Sequence, residues 1–347
     1  MNYIGGIMKI NKNAALLIFL FMIVIILVSF SYEAKEGAVY GIALAEKIII
    51  PSLLPLLIIF NLIQNSGAGR VFEKILSPFT VHILRLPECA GPAVFFGLMG
   101  GFPAGAILTE GLYTNQDIDE STAKRLMRFN FNGGPAFIIT AVGTGLLQSK
   151  RAGIILFAST TISSIIIALA SACFSEKAER GYISYVTAPI DEALSKSVEQ
   201  AIKSVFGISA YIILFSALHG IFSIPELLSP LIEITSGIAN NYSDFSIPQL
   251  AFFLAFGGLC IHLQIFSMIK RVKMKYFDFL LWRLTGAVLA CAVSKVLLMI
   301  FPVEEAVFSN FSESIIRLTS VNAALSALMI IGCVVFILDI ENRRAKC

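Results

Sequence analysis

Two uncharged stretches of membrane grade break in the middle on glycine, at Gly100-Gly101-Phe102-Pro103-Ala104-Gly105 and at Gly257-Gly258-Leu259-Cys260-Ile261-His262. Backbone freed from helical hydrogen bonds finds no water in hydrocarbon. Broken helices at membrane depth therefore persist only where protein or a water-filled cavity satisfies the released N–H and C=O groups. A matched pair of such breaks points to the discontinuous helices from which secondary transporters build a midplane site.

The rest of the chain supports a membrane setting. Of its 347 residues 57% are hydrophobic and 14% charged, against about 25% charged in soluble domains, and the mean hydropathy is +0.83. A spanning helix needs roughly 20 apolar residues, and runs of that length recur. Crossings are expected at about 14–30, 44–66, 122–147, 152–174, 200–222, 276–301 and 316–338, with the lipid bilayer as partner and a multi-pass cell-membrane location. The apolar core from Ala14 to Phe30 exceeds the 7–15 residues of a secretory signal, so an uncleaved first helix is expected. A net charge of +3 gives no nucleic-acid footprint. Basic residues sit in loops on both sides, with a slight bias toward a cytoplasmic N-terminus. The six cysteines have no CxxC spacing and read as small buried thiols.

Set side by side, the halves share an order of features. The helix Ala45–Gly67 is followed by Leu76-Ser77-Pro78, and the helix Ala201–Phe222 by Leu228-Ser229-Pro230. Each half then supplies its glycine break, a basic stretch and a further apolar helix. The expected fold is an all-α polytopic membrane protein, an inverted repeat with two re-entrant hairpins. Its parts are an anchor helix at 1–36, a first repeat at 37–174 with a hairpin at 88–114, and a connector at 175–200. A second repeat follows at 201–301 with a hairpin at 248–270, then a C-terminal helix and tail at 302–347.

Several residues carry candidate chemistry. Gly100, Gly101, Pro103 and Gly105 suit a tight reversal, because glycine tolerates unusual backbone angles and proline cannot continue the helical ladder. The returning half-helix would aim unpaired N–H groups at an anionic or acceptor-bearing group; a close-packing glycine face is the alternative. Asn130 and Asn132 open the next span and can cap a helix or read a polar ligand. Gly257 and Gly258 form the second tip, followed by His262 and Gln264, which line a cavity or brace the fold. Arg283 lies inside an apolar helix, where it snorkels or meets a carboxylate, Glu110 among the candidates. HExxH, GxSxG and P-loop patterns are absent and the histidines lack metal spacing, so no enzyme, metal or cofactor is expected.

Four blocks carry a resemblance: Pro51-Ser52-Leu53-Leu54-Pro55, Gly100 to Ala106, Asn130 to Phe137, and Gly258 to Gln264. In order and spacing the chain, from about Glu46 to Leu298, resembles the sporulation integral membrane protein YlbJ family. That family carries the nucleoside-recognition, or Gate, domain and is distantly related to concentrative nucleoside transporters. Phe102 and Ile107 stand where the family usually has tyrosine and lysine, and His262 where an amide is expected. The resemblance implies a membrane protein of endospore-forming bacteria needed for development of the spore cortex, with a transporter-like fold. It does not imply nucleoside transport, because kinship of fold does not fix function. The expected activity is movement of a small polar or anionic solute around the residues named above. The alternative is a non-transporting scaffold that binds another sporulation membrane protein.

Overall fold

The computed structural model describes residues 12–66, 68–173, 189–222 and 224–303, and among them every regular element is helical. The expected span at 316–338 lies outside the described residues, as does the connector up to residue 188. Helix α1 (Lys12–Ser29) meets α2 (Ser31–Leu44) at a bend of 92°. From α2 the chain runs through a π-helical turn, Ala45–Ile49, directly into α3 (Ile50–Asn65). Pro51 explains the turn: it cannot donate to the preceding carbonyls and its ring would clash there, so the ladder widens by one residue instead of breaking. The other π-helical segments, Pro78–Ile83 after α4 (Ala68–Ser77) and Ala136–Leu146 after Pro135, also lie beside a proline.

Helix α9 (Ile190–Ile221) lies antiparallel along the whole of α2 and α3. At one end Asn61 and Asn65 donate to the main-chain oxygen and the hydroxyl of Ser197, at 3.3 and 2.9 Å. At the other end the seam is made of glycine. A Cβ on Gly41 would stand 2.9 Å from Ile213 Cα, one on Gly37 3.0 Å from Ala217 Cα, and one on Gly220 3.1 Å from Gly37 Cα. Without a hydrophobic drive between helices in lipid, such close backbone approach is what dispersion forces need.

The larger core joins α8 (Lys150–Cys173), α12 (Ile247–Phe256), α13 (Gly258–Met268) and α14 (Tyr276–Ile300) to the first glycine-broken pair, α5 (Ala90–Met99) and α6 (Phe102–Thr114). Apolar segments long enough to cross a membrane are α8, α9, Ile247–Met268 and α14, with α1 and α2 as a bent fifth candidate. The chain is an all-α polytopic membrane protein.

Two expectations change. The stretch 122–147 is not one continuous helix, although it runs antiparallel along the length of α8, with Arg125 meeting Ser171, Asn132 meeting Thr161 and Gly143 meeting Gly153. Helix α7 (Glu120–Phe129) is amphipathic and starts on Asp119, which accepts from Thr122 N at 2.9 Å. Partial burial works to raise the Asp119 carboxyl, yet hydrogen bonds from Thr122 and Ser121 hold it below its ordinary value. After α7 the backbone is non-helical from Asn130 to Gly133 before the π-helical segment begins. The Asn-Gly-Gly-Pro run stops the helix.

The second glycine break also differs from the first. Gly97 and Gly105 both abut Asn130, although eight helical residues would separate them by about 12 Å, so α6 folds back on α5. By contrast α13 does not fold back on α12. Contacts with α14 run in antiparallel order: Phe266 meets Tyr276 (ring centroids 5.5 Å apart), His262 meets Phe279 (5.1 Å), and Ala255 and Phe256 meet Arg283. Gly257 (φ 87°) and Gly258 (φ 74°) take the chain through left-handed angles that glycine alone adopts freely, and it then continues onward. Instead of a second re-entrant hairpin at 248–270, Ile247–Met268 is a discontinuous segment of 22 residues and spanning length.

Single cysteines at Gly91 and Tyr113, in a variant without native cysteines, are expected to react with an impermeant thiol reagent from one side of the membrane. Cysteines at Ser246 and Lys270 are expected to react from opposite sides; same-side labelling of that second pair would restore the hairpin. Gly41→Leu is expected to destabilise the α2–α9 seam by about 1–3 kcal/mol, read as a lower midpoint of thermal unfolding in detergent.

Candidate functional site

At each break the last carbonyls of a half-helix lose their intrahelical partners, and the sequence-predicted polar residues meet them. Gly101 (φ 92°, ψ 167°) turns the chain after α5 through angles open only to glycine. Pro103 occupies the first turn of α6, where its missing N–H costs nothing. Of the α5 carbonyls, Phe96 O accepts from Gly100 N at 2.7 Å, Gly97 O from Asn132 N at 3.2 Å and Leu98 O from Asn132 Nδ2 at 3.3 Å. Asn132 Nδ2 also donates to Thr161 Oγ1 of α8 at 2.8 Å, and Asn130 Nδ2 donates to Ala93 O at 2.9 Å. Both asparagines are buried.

The second break is met in the same way by different side chains. Phe253 O accepts from Gly257 N at 2.9 Å. Arg283 Nη2 donates to Ala255 O, Arg283 Nε donates to Phe256 O at 3.3 Å, and Nη1 crosses to Phe131 O, between the two asparagines, at 2.9 Å. One guanidinium thus ties the second break to the segment that braces the first. His262 sits beside it, with Nε2 3.0 Å from Phe256 O and Nδ1 3.1 Å from the Tyr276 hydroxyl. A single tautomer satisfies both, Nε2–H donating to the carbonyl while Nδ1 accepts from Tyr276.

The two breaks touch. The Phe102 ring lies between Gly133 and Gly257: its Cζ is 2.9 Å from where a Cβ on Gly133 would be, and its Cε1 is 3.3 Å from the same position on Gly257. That position on Gly257 is also 3.6 Å from Arg283 Nη2. Gly100, Gly101, Pro103, Gly105, Asn130, Asn132, Gly257, Gly258, His262 and Arg283 therefore form one contiguous buried cluster.

Gln264 does not join it. Two residues on from His262 it occupies another face of α13, where Nε2 donates to Cys260 Sγ at 3.3 Å, and Cys260 packs with Phe215, Ile221 and Phe222 of the α9 end. Glu110 does not meet Arg283 either; its carboxylate accepts from Lys270 N, Arg271 N and Val272 N. Among the described residues two buried amide oxygens, Asn130 Oδ1 and Gln264 Oε1, accept no hydrogen bond.

Sequence reading missed Glu233, an acid 1% exposed between α10 (Ser229–Ile232) and α11 (Ile234–Asn241). It accepts from Thr235 N (2.9 Å), Ser236 N (2.5 Å) and Ser236 Oγ (2.6 Å), capping α11 beside the second break, where Gly258 packs on Pro230 O and Ile232 O. The signal was present: Glu233 is the lone charge between Leu227 and Tyr242.

An unsatisfied buried acceptor costs about 1–3 kcal/mol. Asn132→Leu orphans Leu98 O, and Arg283→Gln strips donors from three carbonyls, so both are expected to lower the unfolding midpoint and the membrane abundance. Arg283→Lys keeps the charge but loses the planar fork, and is expected to recover little of that stability.

The chain is similar to the Sporulation integral membrane protein YlbJ of Bacillus subtilis (strain 168), with 25% identity over a 333-residue alignment covering 81% of this chain and 81% of the relative. No family model and no solved structure matches the chain. Taken with the apolar helices of spanning length, this similarity makes it a multi-pass integral membrane protein.

Proposed function

We propose that the chain is a sporulation-associated membrane carrier of a small polar solute, without catalytic chemistry, that works around the junction of the two broken segments. The observation that carries this reading is their meeting at Phe102, each break held by side-chain hydrogen bonds that can exchange partners without unwinding a continuous main-chain ladder. Discontinuous helices meeting near the midplane are the recurrent architecture of solute sites in carriers. The antiparallel pairing of α2 and α3 with α9 supports an inverted relation between the halves, now with one re-entrant pair, α5–α6, and one discontinuous crossing, α12–α13. The Gate-domain kinship is part of the same reading.

The solute in this reading is polar and donor-bearing more than anionic. The Arg283 guanidinium is committed to main-chain carbonyls, whereas Asn130 Oδ1 retains an unused lone pair.

A second reading has its own support. With Gly97 O and Leu98 O at the first break and Ala255 O and Phe256 O at the second each accepting a hydrogen bond, and Phe102 between the breaks, the junction also suits a static scaffold for another membrane protein of the spore envelope.

Two measurements separate the readings. Expression in a Bacillus subtilis strain lacking YlbJ is expected to restore sporulation; failure there removes the sporulation role. Purified protein in liposomes is expected to move a donor-bearing polar metabolite from a broad panel, with Phe102→Trp blocking flux. No flux, together with stoichiometric co-purification of another membrane protein, would establish the scaffold.

A further inference from the structure

The loop Lys270-Arg271-Val272-Lys273-Met274-Lys275 joins α13 to α14 and so lies where two spanning segments leave the bilayer. Its pattern alternates: Val272 and Met274 are buried, and Lys270, Arg271, Lys273 and Lys275 are exposed. Neither of the ion pairs Lys124–Glu120 and Lys203–Glu199 draws on these cationic side chains. Within this cationic rim three successive main-chain N–H groups converge on one carboxylate. Glu110 Oε1 accepts from Lys270 N at 2.9 Å and Arg271 N at 2.7 Å, and Oε2 from Val272 N at 3.2 Å. Successive N–H groups converging in this way form a nest, a concave anion site.

Glu110 reaches the nest from the last turns of α6, across 160 residues of sequence. At its other end α6 carries Phe102, the ring between the two breaks. The carboxylate therefore ties α6 to the α13–α14 loop, which joins two segments of spanning length.

We propose that this loop is a binding site for an anionic phospholipid headgroup, with Glu110 as its internal occupant. A phosphodiester presents the same negatively charged oxygens as the carboxylate, and clusters of lysine and arginine just outside a span attract anionic lipids through their surface potential. The headgroup replaces Glu110 on the amides of residues 270–272, gathers the four cations around it, and releases the C-terminal end of α6. The bilayer's anionic lipid thereby sets how firmly the re-entrant pair is held. The site stands whether the protein is a carrier or a scaffold.

Hydrogen exchange of the full chain in nanodiscs tests the proposal. With phosphatidylcholine alone, Glu110 protects the amides of residues 270–272; with phosphatidylglycerol they stay protected while residues 108–114 exchange about tenfold faster. Glu110→Gln is expected to deprotect residues 270–272 in phosphatidylcholine and regain protection in phosphatidylglycerol. Replacing Lys270, Arg271, Lys273 and Lys275 by glutamine abolishes that recovery. Identical exchange in the two lipids, for both the native chain and Glu110→Gln, would overturn the site and leave Glu110 a fixed loop cap. Equal recovery of Glu110→Gln with inorganic phosphate in phosphatidylcholine would show a soluble-anion site and overturn the lipid assignment.

Discussion

Backbone carbonyls set free in a place without water organise this protein. Each helix end at membrane depth leaves acceptors that hydrocarbon cannot satisfy, and here they are met by side chains from elsewhere in the chain. Asn132 serves the end of α5, Arg283 and His262 serve the end of α12. Because Arg283 also holds Phe131 O, the two sets of braces are coupled. The buried polar cluster follows from this need before any ligand is invoked. A guanidinium is suited to the task, since its rigid fork offers several donors in one plane to acceptors that cannot move.

Much of this was legible in the sequence, and the parts that were not have physical reasons. Glycine and proline announced the breaks at Gly100-Gly101 and Gly257-Gly258, whereas Asn132-Gly133-Gly134-Pro135 read as the opening of a span and interrupts one instead. They could not announce direction. A left-handed glycine permits both a reversal and an onward offset, and the neighbours decide: Asn130 gathers α5 and α6 around itself, while α14 lies along both α12 and α13. Likewise the unusual polar residues were identified, but not their alignment. Residues His262 and Gln264 are close in sequence, yet 100° per residue places them on different faces of α13, and only one reaches Arg283.

Other features carry a weaker signal in the sequence. Gly37 and Gly41 form a small-xxx-small pair that predicts close helix contact, but Glu33, Lys35 and Glu36 interrupt the apolar run around them and mask the signal. Glu233 was a solitary acid in a charge-free run. The π-helical turns beside Pro51, Pro78 and Pro135 belong to a third kind: proline signals a disturbed ladder, but whether it kinks, widens or ends depends on packing.

The glycine seam between α2 and α9 limits how the halves can move. Antiparallel helices place their macrodipoles head to tail, so the pair attracts electrostatically without favouring any register. Register is set instead by clearance, with Gly37, Gly41 and Gly220 each facing backbone on the partner. Sliding by a residue or two would press Cβ atoms and larger side chains into those gaps, and the glycines next come opposite one another only after about one helical turn, 5.4 Å. The seam is thus indexed like a ratchet tooth: small thermal creep along it is blocked, and any axial shift of one half against the other must come as a discrete step.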